Sequence, residues 1–286
     1  MAEPEDVLDR IPVLRSERRS VTRLGGLSNT SYRVETPSGR YVLRVPEPGP
    51  GPFVDRANEI AATRIAAGLG IGAPLVHAAP DGVMVTRWID GAHPMSAAAY
   101  ATSPDAVERL GRSLARLHMS PDRFPGTYDP ARIVRTYADA CIARHGHLPW
   151  DGAVADALLG ALASIARSGR DAVPSHCDLV PENCLDDGAR MVLVDWEFAG
   201  MADPAWDLAY AALEGGFDAR QRRVLLAAYG PRAPSETDLR PMSLAAAAIN
   251  GLWEVLRSPH PGNLSGAAAR RLAVVRSLVP GNGSGD

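Results

Sequence analysis

The chain has 286 residues, 46% hydrophobic and 22% charged, enough apolar material to bury a core of one large or two modest domains. A formal net charge of −3 excludes the strongly basic surface of a nucleic-acid or anionic-membrane binder and leaves a small molecule as the expected partner. The three cysteines, Cys141, Cys177 and Cys184, lack metal-like spacing and read as reduced thiols of a cytoplasmic protein; no apolar stretch would span a bilayer, and the acidic start, Met1 to Asp6, is unlike a secretory signal.

In chain order, residues up to about Ser20 read as a leading helix, and Val21 to Leu24 then enter a glycine-containing turn, Gly25 to Thr30. Ser31 to Glu35 and Arg40 to Val45 read as antiparallel strands joined by the turn Thr36-Pro37-Ser38-Gly39. Glycines and short polar residues between strands let backbone N–H groups approach phosphate oxygens, so Gly26, Ser28 and Asn29 are candidates for a lid over ATP. A helix is expected from Asp55 to Leu69, with Ile60, Ile65 and Leu69 facing the sheet. Strands at Leu75 to His77 and Val83 to Thr86, with Asp81-Gly82 as their turn, complete a small β-rich lobe. Thr86-Arg87-Trp88-Ile89 would be the hinge. Beyond it the chain reads helical: Asp105 to His118, Arg132 to His145, Val154 to Arg167, Asp218 to Tyr229 and Leu244 to Leu256. The expected organisation is an N-terminal lobe over residues 1–88, a C-terminal lobe over 89–279 and a flexible tail over 280–286.

The stretch His176 to Asn183 carries the chemistry. Pro181 with the polar Glu182 and Asn183 disfavours a helix there and predicts a loop. Asp178 in that loop can accept a hydrogen bond from an attacking hydroxyl, and Asn183, five positions on, can turn its amide oxygen to a metal. Asp186-Asp187-Gly188 reads as a tight turn between the strands Cys184-Leu185 and Met191 to Val194, which returns the chain so that Asp195 becomes a second metal ligand. Carboxylate, amide and phosphate oxygens together suit Mg²⁺ beside a nucleotide. His176 is expected to brace this loop, and Asp207 to tie it to the following helix through backbone hydrogen bonds. His118 reads as a packing and capping residue, and His145-Gly146-His147 lacks a third nearby metal ligand.

These residues in this order resemble the aminoglycoside phosphotransferase and choline kinase superfamily, relatives of the protein kinases, over most of the chain. The run Val194 to Ala209, with Asp195-Trp196-Glu197, Gly200, Asp203-Pro204 and Trp206-Asp207-Leu208-Ala209, is most similar to the bacterial choline and ethanolamine kinases. The resemblance implies an α+β, protein-kinase-like, two-lobed fold with its site in the cleft. It also implies ATP and Mg²⁺ as cofactors, with adenine lying against the Thr86–Trp88 hinge. The sequence contains no lysine, so the phosphate-gripping lysine of kinases must be replaced. Arg44 can do this through bidentate hydrogen bonds, as choline-kinase-like proteins commonly do, with Glu59 as its expected partner.

The expected reaction is transfer of the ATP γ-phosphoryl to the hydroxyl of choline, ethanolamine or a similar amino alcohol. The resemblance makes Glu214 and Trp253 the candidates for holding the substrate's cation, since a cation on an aromatic face gains about 0.5–2 kcal/mol. Where the family often has a tryptophan three positions before Trp253, this chain has Asn250, leaving the aromatic box incomplete unless Trp206, Tyr210 or Phe217 compensates. An aminoglycoside kinase, which would use late acidic residues such as Glu236, Asp238 and Glu254, and a non-catalytic nucleotide-binding protein are the alternatives. The sequence leaves the oligomeric state open, a homodimer being one option.

Overall fold

The computed structural model describes residues 7–15, 18–24, 29–46, 53–258 and 263–279, so the expected tail over 280–286 lies outside the described residues. Alternation of apolar and polar residues over 29–46 builds a hairpin: β2 (Asn29–Thr36) and β3 (Gly39–Pro46) pair in an eight-residue antiparallel register, Thr36 opposite Gly39. β1 (Ser20–Arg23) flanks β2, so Val21 to Arg23, read as the entry to a turn, are strand. The leading helix is not borne out over its described part: only Val7 and Leu8 are helical, and turns follow through Arg15. Leu8, Ile11 and Leu14 instead cap the sheet, joining Val34, Tyr41, Leu43 and Val85 in a small core.

Helix α1 (Arg56–Gly68) is capped by Asp55, whose side chain accepts from the Ala57 and Asn58 N–H groups. Strands β4 (Leu75–Ala78) and β5 (Met84–Arg87) complete an antiparallel sheet of order β1-β2-β3-β5-β4. The face expected for α1 is corrected. Ile65 and Leu69 pack on the main core with Ala62 and Ala66, away from the sheet's own core. Asn58 pins this helix to the other lobe, donating to the Ala199 carbonyl at 2.6 Å and accepting from the Gly126 N–H at 2.7 Å.

After β6 (His93–Pro94) and α2 (Ala97–Thr102), α3 (Pro104–His118), α4 (Pro130–His145) and α5 (Gly152–Ala166) begin the helical lobe. β7 (Val173–Ser175) leads into the stretch His176 to Asn183, in which Pro181–Asn183 form a single 3₁₀ turn within the loop. The hairpin β8 (Cys184–Asp186) and β9 (Met191–Leu193), β10 (Gly200–Ala202), α6 (Ala205–Glu214), α7 (Ala219–Tyr229), α8 (Glu236–Leu256) and α9 (Gly266–Ser277) follow. β8 lies between β6 and β9, and β10 pairs with β7. α8 touches α4, α5, α6 and α9, and its buried Ala245-Ala246-Ala247-Ala248 lets these neighbours approach closely. It starts eight residues before the expected Leu244, because a Ser235–Asp238 capping box nucleates it and Pro241 is accommodated inside it.

Gly111 sets the distance between α3 and α7: a Cβ there would lie 2.6 Å from the Leu225 carbonyl oxygen and 2.8 Å from the Ala228 Cβ. Ala at a helix interior gains about 1 kcal/mol over Gly, whereas overpacking against backbone costs about 1–3 kcal/mol. Gly111→Ala is therefore expected to destabilise by up to about 2 kcal/mol, read by denaturant melts; a stabilised variant would show that α7 shifts freely.

Candidate active site

The β8–β9 turn is built by its own side chains. Asp187 Oδ1 accepts from the Ala189 and Arg190 N–H groups, and Arg109 clamps Asp186 at 2.7 and 2.6 Å. The hairpin returns Val194 to Asn183, whose carbonyl accepts the Val194 N–H at 3.0 Å, and the Leu193 N–H reaches the Ile71 carbonyl at 2.7 Å. Cys177 and Asp195 then turn with φ of 67° and 66°, a left-handed conformation that costs a non-glycine residue roughly 1–3 kcal/mol and needs firm surroundings.

Asp207 supplies them on the Cys177 side. Its fully buried carboxylate accepts from the His176 and Cys177 N–H groups, both at 2.8 Å, and from His118 Nε2 at 3.1 Å. Burial would raise its pKa, but these donors and the nearby histidines hold it below the usual carboxylate value. His176 is buried and held below its ordinary pKa by desolvation. As a neutral ring it donates from Nε2 to the Val194 carbonyl at 2.9 Å and accepts the Asp178 N–H at 3.3 Å, so one imidazole touches the backbone beside each carboxylate.

Asp178 accepts the Tyr210 hydroxyl at 2.9 Å, and Asn183 Nδ2 donates to the Asp178 carbonyl at 2.9 Å and approaches its carboxylate at 3.4 Å. Burial pushes the Asp178 carboxyl up to about 7, the Tyr210 bond opposes this, and Asp195, Glu197 and Glu214 add to the rise. A carboxylate so placed is a strong acceptor for a proton near neutral pH. With its N–H groups turned to Asp178, Asn183 keeps its side-chain oxygen for another electrophile.

Across the cleft Arg44 forms an ion pair with the fully buried Glu59, and its Nη2 lies 3.1 Å from Asp195 Oδ1 and 3.3 Å from Glu197 Oε2. Arg56 adds a 2.8 Å contact to Glu59. Burial and the neighbouring Asp195 carry Glu197 above the usual carboxylate range, with Arg44 and Asn29 opposing. Carboxylate oxygens of Glu59, Asp195 and Glu197 lie within 4.8 Å of one another, and Asp195 Oδ1 is buried without a hydrogen bond. Asp195 Oδ1 has the Arg44 ion pair as its contact, and three carboxylates offering hard oxygen donors suit a divalent cation. Glu197 was read only as part of the run Asp195-Trp196-Glu197, with no role given to it.

The other sequence candidates fall as follows. Asn29 Nδ2 donates to Glu197 Oε2 at 3.1 Å, placing the start of β2 over the acidic cluster; Gly26 and Ser28 lie outside the described residues. Thr86 pairs with Val42 and Leu75 inside the sheet. The Trp88 N–H is used by the Arg40 carbonyl at 3.0 Å, and its ring lies 5.0 Å from the Arg33 guanidinium. Trp206 offers no open face: 1% exposed, it packs against Tyr128 and Tyr210 and aims its indole N–H at the Cys177 carbonyl, 3.4 Å away. Glu214 Oε1 is taken by Arg271 Nη1 at 2.7 Å and Asn250 Nδ2 at 2.8 Å. The Arg257 guanidinium sits 4.4 Å over the Trp253 ring. The two groups expected to receive a substrate cation each already carry an arginine.

A small antiparallel sheet over a helical lobe, with a loop aspartate, an asparagine and a second aspartate meeting below an arginine–glutamate pair, defines a kinase-fold phosphotransferase. Residues 20–242 match the phosphotransferase enzyme family (APH), and the chain belongs to that family. It is similar to a choline/ethanolamine kinase family protein of known structure from Mesorhizobium loti, at 31% identity over 97% of this chain and 94% of that one, with a TM-score of 0.83. It is 26% identical over 210 residues to protein LicA of Haemophilus influenzae, matching 72% of this chain and 61% of LicA. It is also 28% identical over 251 residues to a thiamine kinase of Salmonella typhi, matching 85% of this chain and 78% of that protein. Among the described residues no helix is long and apolar enough to cross a membrane.

Proposed function

We propose that the chain transfers the γ-phosphoryl group of ATP to the hydroxyl of a small amino alcohol of the choline or ethanolamine type, its N-terminal lobe over 1–88 binding nucleotide and its C-terminal lobe over 89–279 binding acceptor. The observation that carries this is the setting of Asp178, whose carboxylate meets the Tyr210 hydroxyl at 2.9 Å and whose carbonyl accepts Asn183 Nδ2 at 2.9 Å. In the reaction the acceptor oxygen bonds to the γ-phosphorus as the bond to the bridging oxygen of ADP breaks, and Asp178 orients the hydroxyl and accepts its proton. Arg44, steadied by Glu59, takes the phosphates. Asn183 and Asp195, with Glu197 beside them, would hold Mg²⁺, whose charge offsets that of the phosphates. The lid role of Asn29 and the hinge role of Thr86 and Trp88 belong to the same reading.

An aminoglycoside is a weaker candidate, because Glu236 and Asp238 are already paired with Arg222 at 3.0 Å and Arg170 at 2.8 Å. Similarity to a thiamine kinase makes the primary hydroxyl of thiamine the second reading. ADP release with Mg-ATP across ethanolamine, choline, thiamine and an aminoglycoside separates them. Turnover of an amino alcohol is expected; turnover of thiamine alone would establish the second reading in its place, and ATP binding without turnover of any of them would favour a non-catalytic nucleotide binder.

A further inference from the structure

The acceptor end of the cleft has an unusual balance of donors and acceptors. Tyr210 Oη stands 2.9 Å from Asp178 Oδ1 and 3.1 Å from Asn250 Oδ1. A phenol carries one proton, so it satisfies one of these oxygens and leaves the other in want of a donor. If the substrate hydroxyl is to use Asp178, the tyrosine proton turns to Asn250; if the tyrosine stays on Asp178, Asn250 Oδ1 needs a donor from the substrate. Beyond it, Glu214 Oε1 is doubly occupied by Asn250 Nδ2 and Arg271 Nη1, while its Oε2 receives no hydrogen bond from the described residues. An amide oxygen has two lone pairs, so Asn250 Oδ1 keeps room for a second donor even with the tyrosine proton turned to it; Asn250 Oδ1 and Glu214 Oε2 thus offer two acceptors on side chains bonded to one another at 2.8 Å.

A quaternary ammonium has no N–H to give these oxygens. It must be held by aromatic faces and charge alone, and both are short here. Trp206 is 1% exposed, Arg257 covers one face of Trp253, and Asn250 occupies the position one helical turn before Trp253 on the same side of α8. The Arg271 guanidinium on Glu214, 2.7 Å away, further opposes a cation that cannot compensate by hydrogen bonding.

We infer that this acceptor site selects an alcohol bearing an ammonium group with N–H donors and discriminates against quaternary ammonium, with Asn250 as the specificity-determining residue. The inference rests on the amino-alcohol reading above and narrows it. Asn250 acts by presenting Oδ1 to the ammonium and by holding Glu214 through Nδ2, so that a single amide sets both acceptors.

The test is the series ethanolamine, N-methylethanolamine, N,N-dimethylethanolamine and choline, with kcat/KM measured for the wild type, Asn250→Leu and Arg257→Ala. With two acceptors to serve, one hydrogen bond to a charged group is lost at the second methylation and the other at the third, so falls of about ten- to hundredfold each are expected at dimethylethanolamine and again at choline. In Asn250→Leu, whose side chain has similar bulk, the ethanolamine-to-choline ratio should fall at least about tenfold; general damage would lower all four substrates together and leave the ratio unchanged. Arg257→Ala, which uncovers the Trp253 face, should raise kcat/KM for choline relative to ethanolamine. A wild type that turns over choline as well as ethanolamine, or a ratio that survives in Asn250→Leu, overturns the inference while leaving amino-alcohol phosphorylation standing. Absence of turnover with all four, ATP still binding, overturns both.

Discussion

Asp178→Asn is expected to lower kcat by about 10²- to 10⁴-fold, the range that a positioned proton acceptor contributes, with little change in the KM for ATP. Asparagine keeps the shape and one acceptor oxygen for the Tyr210 hydroxyl, and the Asn183 bond to the residue-178 carbonyl is a backbone contact that survives. What disappears is the charge that draws the substrate proton. The same change should not cost stability. A half-buried carboxyl raised to about 7 by desolvation and by Asp195, Glu197 and Glu214 binds its proton more tightly folded than unfolded, so it disfavours the fold increasingly as pH rises from the unfolded value of about 4 to about 7, and fully above that. A neutral amide removes that penalty, and the melting temperature should hold or rise. Activity and stability moving in opposite directions separate a chemical role from a structural one. ADP-release kinetics beside a thermal melt decide it: near-wild-type turnover, or parallel loss of both, would remove Asp178 from the reaction.

The parts legible in the sequence are those governed by local chemistry. The turns at Thr36 to Gly39 and Asp186 to Gly188 follow from their residues alone, and both hairpins form as expected. The Asp55 cap and the α1 span were readable for the same reason. The helix expected from Leu244 instead runs from Glu236 through Pro241, because buried packing against four neighbouring helices outweighs one lost hydrogen bond. The face of α1 was misassigned since apolar spacing gives a stripe without naming its partner, and the decisive contact, Asn58 to Ala199 at 141 residues' separation, is polar. At the site, the pairing of Arg44 with Glu59 could be anticipated from the missing lysine. That Glu214 already carries Arg271 could not, because α9 is distant in sequence from Glu214, whereas Arg257 stands four residues beyond Trp253, a helical spacing that brings the two side chains together. Asn250 was visible only as a departure from an aromatic pattern; its bonds to Tyr210 and Glu214 give that departure a physical content.

Asp207→Ala is expected to be the most destabilising single change at the site and to abolish most activity without touching substrate. The carboxylate is 0% exposed and holds the N–H groups of His176 and Cys177 together with His118. Removing it strands three buried donors and frees Cys177 from its left-handed φ of 67°, so the residue beside it, Asp178, loses its fixed approach to the acceptor. Leaving three buried donors without an acceptor costs about 1–3 kcal/mol each, which for a chain of this size is a drop in melting temperature of roughly 10 °C or more. The pH dependence has a definite sign. Because the folded pKa of Asp207 is held below its unfolded value, its stabilisation is complete above about pH 4 and is lost as pH falls through the lower folded value. Wild type and Asp207→Ala should therefore differ fully at neutral pH and converge in acid. A gap that stays constant into acid would mean that the ionisation of this carboxylate does not stabilise the loop, and a variant that melts like wild type at pH 7 would mean that the loop is held by packing of Trp206 and Trp196.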